Sequence, residues 1–115
     1  MRKTTPIGGI TAIAIALSVG GCSSSVSVTL CSAADKPVEF ALRFTRADPQ
    51  ERAGVLPPGA RTTVKVDPRG DGDYSIELRR ADTVQQHPGR YYTSRGGDDS
   101  FTVKDDLSLV DGCNR

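Results

Sequence analysis

The sequence predicts an all-β domain, an antiparallel β-sandwich of about seven strands, from three observations. Apolar and polar residues alternate in several short runs, which is typical of strands with one buried face. Stretches rich in proline and glycine, such as "LPPGA" and "DPRGDGD", separate these runs and predict turns. No window has the period of an amphipathic helix, so a parallel sheet with crossover helices is not expected. A small antiparallel β-barrel is the alternative architecture.

The run "PVEFALRFT" gives the clearest strand signal, because four apolar side chains alternate with Glu39, Ala41, Arg43 and Thr45. "VSVTL", "RTTVKVD", "YSIELRR", "GRYYTS", "SFTVKD" and "LSLV" show shorter forms of the same pattern. The side chains predicted to face the core are Val26, Val28, Leu30, Val38, Phe40, Leu42, Phe44, Thr62, Val64, Val66, Tyr74, Ile76, Leu78, Phe101 and Val103. Two stretches, Arg46–Ala60 and Arg79–Asp99, are predicted to be long irregular connections.

In the middle of the chain, a predicted strand is followed by "GVLPPGARTTVKV" and then by "GDYSIEL". This order of segments resembles bacterial immunoglobulin-like modules. The resemblance implies an immunoglobulin-like sandwich and carries no information about activity.

The first 22 residues begin with a charged segment and continue with an apolar one. Arg2 and Lys3 precede an apolar stretch of about 13 residues, shorter than the ~20 that a membrane-spanning helix needs. Small residues then lead to Cys22, and this pattern resembles the signal peptide and lipobox of bacterial lipoproteins. The resemblance implies that residues 1–21 are removed and that the Cys22 sulfur carries acyl chains such as palmitate. A plain secretory signal with a free Cys22 thiol is the alternative.

This reading divides the chain into a signal peptide (1–21), a short tether (22–25) and one β-sandwich domain (26–115). The protein is expected to be exported and held on a membrane by the lipid on Cys22. In a cell with two membranes, Ser23 after the lipidated cysteine predicts the outer membrane, facing the periplasm. In a cell with one membrane, the outer face of the cytoplasmic membrane is expected.

Cys31 and Cys113 are predicted to form a disulfide, because lipidation of Cys22 leaves an even pair in an oxidising compartment. Two free buried thiols are the alternative. A metal site is not expected, since two cysteines and the single histidine, His87, fall short of a tetrahedral ligand set.

Charge gives no support for binding nucleic acid or an acidic polymer. The whole chain has 15 Lys and Arg against 14 Asp and Glu, and two of the cations lie in the predicted signal peptide.

Six positions spread over most of the mature chain carry a second resemblance: Cys31, Gly89, Tyr91, Gly97, Asp98 and Cys113. At these positions the chain is similar to the lipoprotein inhibitors of c-type lysozyme. That family is small, all-β, lipid-anchored and closed by a disulfide. Its Ser/Gly-rich inhibitory loop would fall at "RRADTVQQH", which has a different composition, and the tryptophan often found before the Gly-Asp pair is missing.

The residues that could carry chemistry do not predict an enzyme or a cofactor. His87 in "QQHPG" is expected to be an exposed loop histidine with no marked nucleophile beside it. "DPRGDGDYSIEL" departs from the EF-hand pattern at two ligand positions, which leaves only a loose calcium site through Asp67, Asp71 and Asp73.

The stretch Arg79–Asp99 is predicted to bind a protein partner, because arginine and tyrosine are enriched there and anchor many protein interfaces. The candidate side chains are Arg80, Arg90, Tyr92 and Arg95, with Tyr91 taken as the buried tyrosine. The sequence therefore favours a non-catalytic, lipid-anchored binding protein of the cell envelope. The alternative is an inhibitor or immunity-type protein directed against a lysozyme-like or other envelope hydrolase.

Overall fold

The structure is a computed structural model that describes residues 24–113, which form two β-sheets packed face to face. The sandwich prediction is confirmed, and the barrel alternative is wrong because the sheets stay separate. The strands are, in chain order, β1 (Val26–Ser32), β2 (Val38–Phe44), β3 (Ala47–Asp48), β4 (Glu51–Leu56), β5 (Arg61–Pro68), β6 (Gly72–Arg80), β7 (Thr83–Tyr92), β8 (Gly97–Val103) and β9 (Leu109–Asp111).

One sheet has five strands in the order β9-β8-β1-β5-β3, and the other has four in the order β4-β2-β6-β7. Paired strands are antiparallel except β1 and β8, which run parallel from Val26 opposite Gly97 to Ser32 opposite Val103. The sequence predicted antiparallel pairing only. No hairpin fixes the direction of β1 relative to β8, because the other sheet's strands lie between them in the chain.

The core lies between the sheets and is built by period-two alternation. In β2, every second side chain is buried, and their neighbours Glu39 and Arg43 are exposed. All side chains predicted to face the core are buried, except Thr62, which is half-buried. Full burial of a large aliphatic side chain stabilises the fold by about 1.5–3 kcal/mol.

The two stretches predicted to be irregular contain strands instead. Arg46–Ala60 includes β3 and β4, and most of Arg79–Asp99 is β7. The alternation is hidden in both places because the strands lie at a sheet edge. Leu56 is the one buried residue of β4, and the first four residues of β7 are all exposed.

The predicted disulfide is confirmed. Cys31 lies in β1, Cys113 follows β9, and their Cα atoms are 5.7 Å apart with an S–S distance of 2.04 Å. The bond joins residues 82 positions apart, so it ties an internal strand of the five-stranded sheet to the end of the described chain.

The predicted signal peptide and Cys22 lie outside the described residues. Ser24 and Ser25 precede β1 without strand structure. Between residues 24 and 113 there is no helix with the length and apolar character needed to cross a membrane.

Candidate functional site

Two of the four predicted binding residues, Arg80 and Arg90, connect the two sheets. Arg80 donates to the carbonyl oxygen of Asp105, in the turn between β8 and β9, and its Nη1 lies 3.9 Å from the Asp105 carboxylate. Arg90 donates to Asp111, and its guanidinium lies 5.7 Å from the ring centroid of Phe101. Both side chains therefore hold β6 and β7 against β8 and β9. These contacts within the chain account for the two arginines without a binding partner.

A partly buried hydrogen bond reinforces this connection between the two sheets. The Tyr74 hydroxyl donates to Asp99 Oδ2 at 2.6 Å, and Arg90 Nε lies 3.9 Å from the other oxygen of that carboxylate. Burial, followed by the hydrogen bond to Asp99, raises the pKa of Tyr74 far above its ordinary value. Tyr74 therefore stays protonated and keeps donating to Asp99 across the physiological range.

The assignment of Tyr92 to the surface and Tyr91 to the core is wrong. Tyr92 is 2% exposed and Tyr91 is 67% exposed. His87 pairs with Ile76 on the inner face of β7, and uninterrupted alternation would bring Tyr91 inward as well. The register shifts between Asp73 and Ser75, where β7 carries an extra residue, and this bulge turns Tyr92 into the core instead.

The fourth predicted residue, Arg95, is exposed in the turn between β7 and β8. Arg80, Arg90, Tyr92 and Arg95 therefore do not form one continuous surface: two bridge the sheets, one is core, and one lies in a turn.

The other candidates for chemistry also have structural surroundings. His87 is in β7 rather than in a loop, half-buried, with Nε2 2.7 Å from the Leu107 carbonyl oxygen. Asp71, one of the three loose calcium candidates, accepts from the Ser94 backbone N–H. No group of three His, Cys, Asp or Glu side chains in the described part of the chain is arranged to hold a metal ion.

A shallow trough runs along the outer face of the four-stranded sheet, over β4, β2 and β6. Its volume is about 470 Å³. Ala41 of β2 pairs with Ala53 of β4, so two methyl groups form the floor where larger side chains would fill it. Val55, which is 58% exposed, adds an apolar rim at one end. The remaining lining residues include Glu39, Arg43, Glu51, Glu77 and Arg79.

Glu77 is the centre of a charge network on one side of the trough. Arg43 Nη1 is 3.1 Å from Glu77 Oε1, and Arg79 Nη2 is 3.1 Å from Oε2. Gln86 of β7 also donates to Oε1 at 2.9 Å, and Arg43 extends the network to Glu51 with a 3.6 Å contact. Hydrogen bonds from Arg79 and then Arg43 hold the pKa of Glu77 below its ordinary value.

The network predicts a pH dependence of stability. A carboxylate whose pKa is lower in the folded state stabilises the fold above its unfolded pKa, and this contribution is lost as pH falls through the folded pKa. The pKa values of Asp105 and Asp106 are also lowered, through hydrogen bonds from Asp35 and Ser108 respectively. We therefore expect the melting temperature to fall as pH is lowered from about 5 to 3, and the Glu77→Gln variant to show a smaller fall.

Glu39→Gln is the matched control for that titration. Glu39 lies on the same face and makes no salt bridge with the residues that the structure describes. Its replacement should leave the slope of melting temperature against pH unchanged. Equal slopes for wild type and Glu77→Gln would contradict the role assigned to the network.

The trough combines an apolar floor with ion-paired guanidinium and carboxylate groups, an arrangement suited to recognition. The sequence does not predict the trough, because its residues come from three strands and the amino-acid sequence does not show how those strands pair. The only signal was the outward series Glu39, Ala41 and Arg43 in β2, which has a small residue between two charged ones.

Comparison of the chain with known proteins finds no matching family model, no matching curated protein and no matching solved structure.

Proposed function

We propose that this protein is a lipid-anchored binding protein of the cell envelope that recognises a protein partner through the trough and catalyses no reaction. The observation that carries the proposal is the trough itself, in which exposed apolar groups and arginines lie side by side. Arginine and apolar contacts are the usual anchors of protein interfaces. An edge of a partner protein fits an open trough better than a small ligand, which generally needs an enclosed pocket.

The anchor in this proposal is the lipid on Cys22. It is supported by the sequence pattern of residues 1–22 and places the binding domain next to the membrane surface. The short tether, 22–25, would keep the domain near the membrane because β1 begins at Val26. Partners in reach would be envelope proteins.

The anchor is tested by Cys22→Ser in the full chain. We expect the variant to leave the membrane fraction, or to keep its signal peptide and migrate at the higher mass, because no acyl acceptor remains. Fractionation with metabolic labelling by a palmitate analogue measures both effects. A variant that is labelled and fractionates like wild type would show that Cys22 is not the acylated residue.

Partner binding is tested with Ala53→Arg, which places a long charged side chain over the trough floor. Ala53 is exposed, so the domain is expected to keep its melting temperature. Thr63→Arg is the matched control, since Thr63 is an exposed strand residue on the outer face of the other sheet. Envelope proteins cross-linked to wild type and to Thr63→Arg, but lost with Ala53→Arg, would support the proposal. Equal capture by all three forms would refute the trough as the binding surface.

A further inference from the structure

Among the strands that the structure describes, β7 is one of the two edges of the four-stranded sheet, the other being β4. A two-residue connection joins β6 to β7, with Arg80 opposite Thr83, and the register continues with Leu78 opposite Gln85 and Ile76 opposite His87. In such a hairpin the closing pair is hydrogen-bonded, and the bonding alternates along the strand. The backbone groups of Val84 and Gln86 therefore point away from β6, towards the open edge.

The first half of this edge, Thr83–His87, lacks the features that usually protect an exposed strand. The segment Thr83–Gly89 contains no charged residue, and Val84 is 42% exposed. The other edges in the described part of the chain differ: β3 has two residues, β9 has three, and β4 begins with Glu51 and Arg52. Natural proteins shorten or charge their edges to prevent strand addition, so the first half of β7 is the edge open to it.

Pro88 and the bulge limit where a new strand can pair. Pro88 lies opposite Ser75, at a position whose backbone nitrogen faces the open edge and has no proton to donate. The bulge beyond it turns the strand before Tyr91. The pairing window is therefore Thr83–His87.

We propose that a second copy of this chain occupies this window, with the two β7 strands antiparallel and related by a two-fold axis at Gln85. Val84 of each copy then lies opposite Gln86 of the other, which gives about four main-chain hydrogen bonds and needs no donor from Pro88. Charge favours this orientation. Antiparallel strands place Asp82 of the two copies at opposite ends of the window, whereas parallel strands would bring these two carboxylates together.

The self-pairing is also complementary in its side chains. The window is uncharged, so two copies approach without repulsion, and glutamine amides both donate and accept. Pairing would join the edges of the two four-stranded sheets into one continuous eight-stranded sheet, with the trough of each copy away from the junction. This inference does not depend on the function proposed above, since the window lies outside the trough lining.

The test measures the mass of the full mature protein in solution, by light scattering or sedimentation, over about 1–500 µM. We expect the mass to double with concentration for wild type. Val84→Lys adds a positive charge to each copy beside the axis and should weaken association at least about tenfold. Val110→Lys is the matched control, because Val110 is an equally exposed valine on the edge strand β9 of the other sheet, and it should associate like wild type.

Two further variants test the same strand pairing, so the conclusion does not depend on Val84→Lys alone. Gln86→Pro deletes an edge-facing N–H and keeps the main-chain bonds to β6, although it loses the side-chain bond to Glu77, and it should also abolish the dimer. Gln85→Cys should form a covalent dimer on oxidation, because a non-hydrogen-bonded pair on the axis holds its Cα atoms at about 4.5 Å. A wild type that is monomeric throughout, a Val84→Lys variant that dimerises like wild type, or an edge filled only by a segment of another protein would each overturn the proposal.

Discussion

Replacing both Cys31 and Cys113 by alanine should lower the free energy of unfolding by about 2–5 kcal/mol, as in other small disulfide-closed domains. The bond closes nearly the whole described chain into one loop, and its two cysteines are 82 positions apart. The chain-entropy contribution of a loop of that length is on the order of 4 kcal/mol. A domain of this size has a total stability of only about 5–15 kcal/mol, so the variant should be close to unfolding at 37 °C.

Removal of the bond should also destabilise one strand, β9, more than the rest of the domain. The strand β9 pairs with β8 through only three residue pairs, Leu109, Val110 and Asp111 with their partners, and lies at the sheet edge. Cys113 follows that strand and fixes it to β1. We therefore compare the hydrogen-exchange rate of β9 amides with that of β2 amides. The ratio of the two rates should be higher without the bond than in wild type.

Reduction of the wild type separates the bond from the loss of the cysteine side chains. Cys31 is 9% exposed, so alanine also removes buried atoms. Wild type that is kept reduced by a thiol reductant, with both cysteine side chains unmodified, should match the double variant within about 1 kcal/mol. A reduced protein with the melting temperature of the oxidised one would contradict the stabilising role of the bond.

The interior strands could be predicted because burial of one face leaves a period-two pattern in the chain. Val38–Phe44 is the clearest case: the predicted core side chains are buried and Glu39 is exposed. The disulfide was also predictable, since setting Cys22 aside as the predicted lipidation site leaves two cysteines, each with one possible partner. The strand prediction uses only the local sequence, and the disulfide prediction uses only the number of cysteines, so neither requires knowledge of the fold.

The edge strands and the tyrosine assignment needed information that the sequence does not display. An edge strand such as β4 is exposed on both faces, so nothing selects alternation in it. The bulge beside Gly89 changes which of Tyr91 and Tyr92 faces inward, and a single extra residue inverts every assignment after it. Prediction from the chain correctly required one buried tyrosine and could not choose which.

The trough was missed for a related reason. Ala41 and Ala53 are 12 positions apart and become neighbours only through the register of β2 and β4. Arg80 and Arg90 suggested an interface because arginine is common in interfaces. Their charges are instead paired with Asp105 and Asp111 within the fold. Composition indicates which residue types are suited to binding. The pairing register of the strands decides which of these residues share one exposed face of the sheet.

Gly89→Ala should destabilise the domain by about 3 kcal/mol, at the upper end of the range for overpacked interiors. A Cβ atom at Gly89 would lie 2.3 Å from Cδ2 and Cε2 of Tyr74 and 2.6 Å from the Tyr74 carbonyl oxygen. The ring cannot move freely to make room. Its hydroxyl is bonded to Asp99, and its centroid lies 5.4 Å from that of Phe44. The added methyl group therefore disrupts the bulge, the aromatic contact and the seam between the sheets together.

Gly97→Ala is the matched control for this substitution. Gly97 also lies in a strand, but a Cβ there would meet only Tyr92 Cβ at 3.7 Å, an ordinary contact. For a domain of this size, 3 kcal/mol corresponds to a fall in melting temperature of more than about 10 °C, whereas Gly97→Ala should stay within a few degrees of wild type. Tyr74→Leu should recover part of the loss in the Gly89→Ala background, because it removes the ring and leaves only the carbonyl contact. Additive effects of the two substitutions would show that the clash with the Tyr74 ring is not the cause.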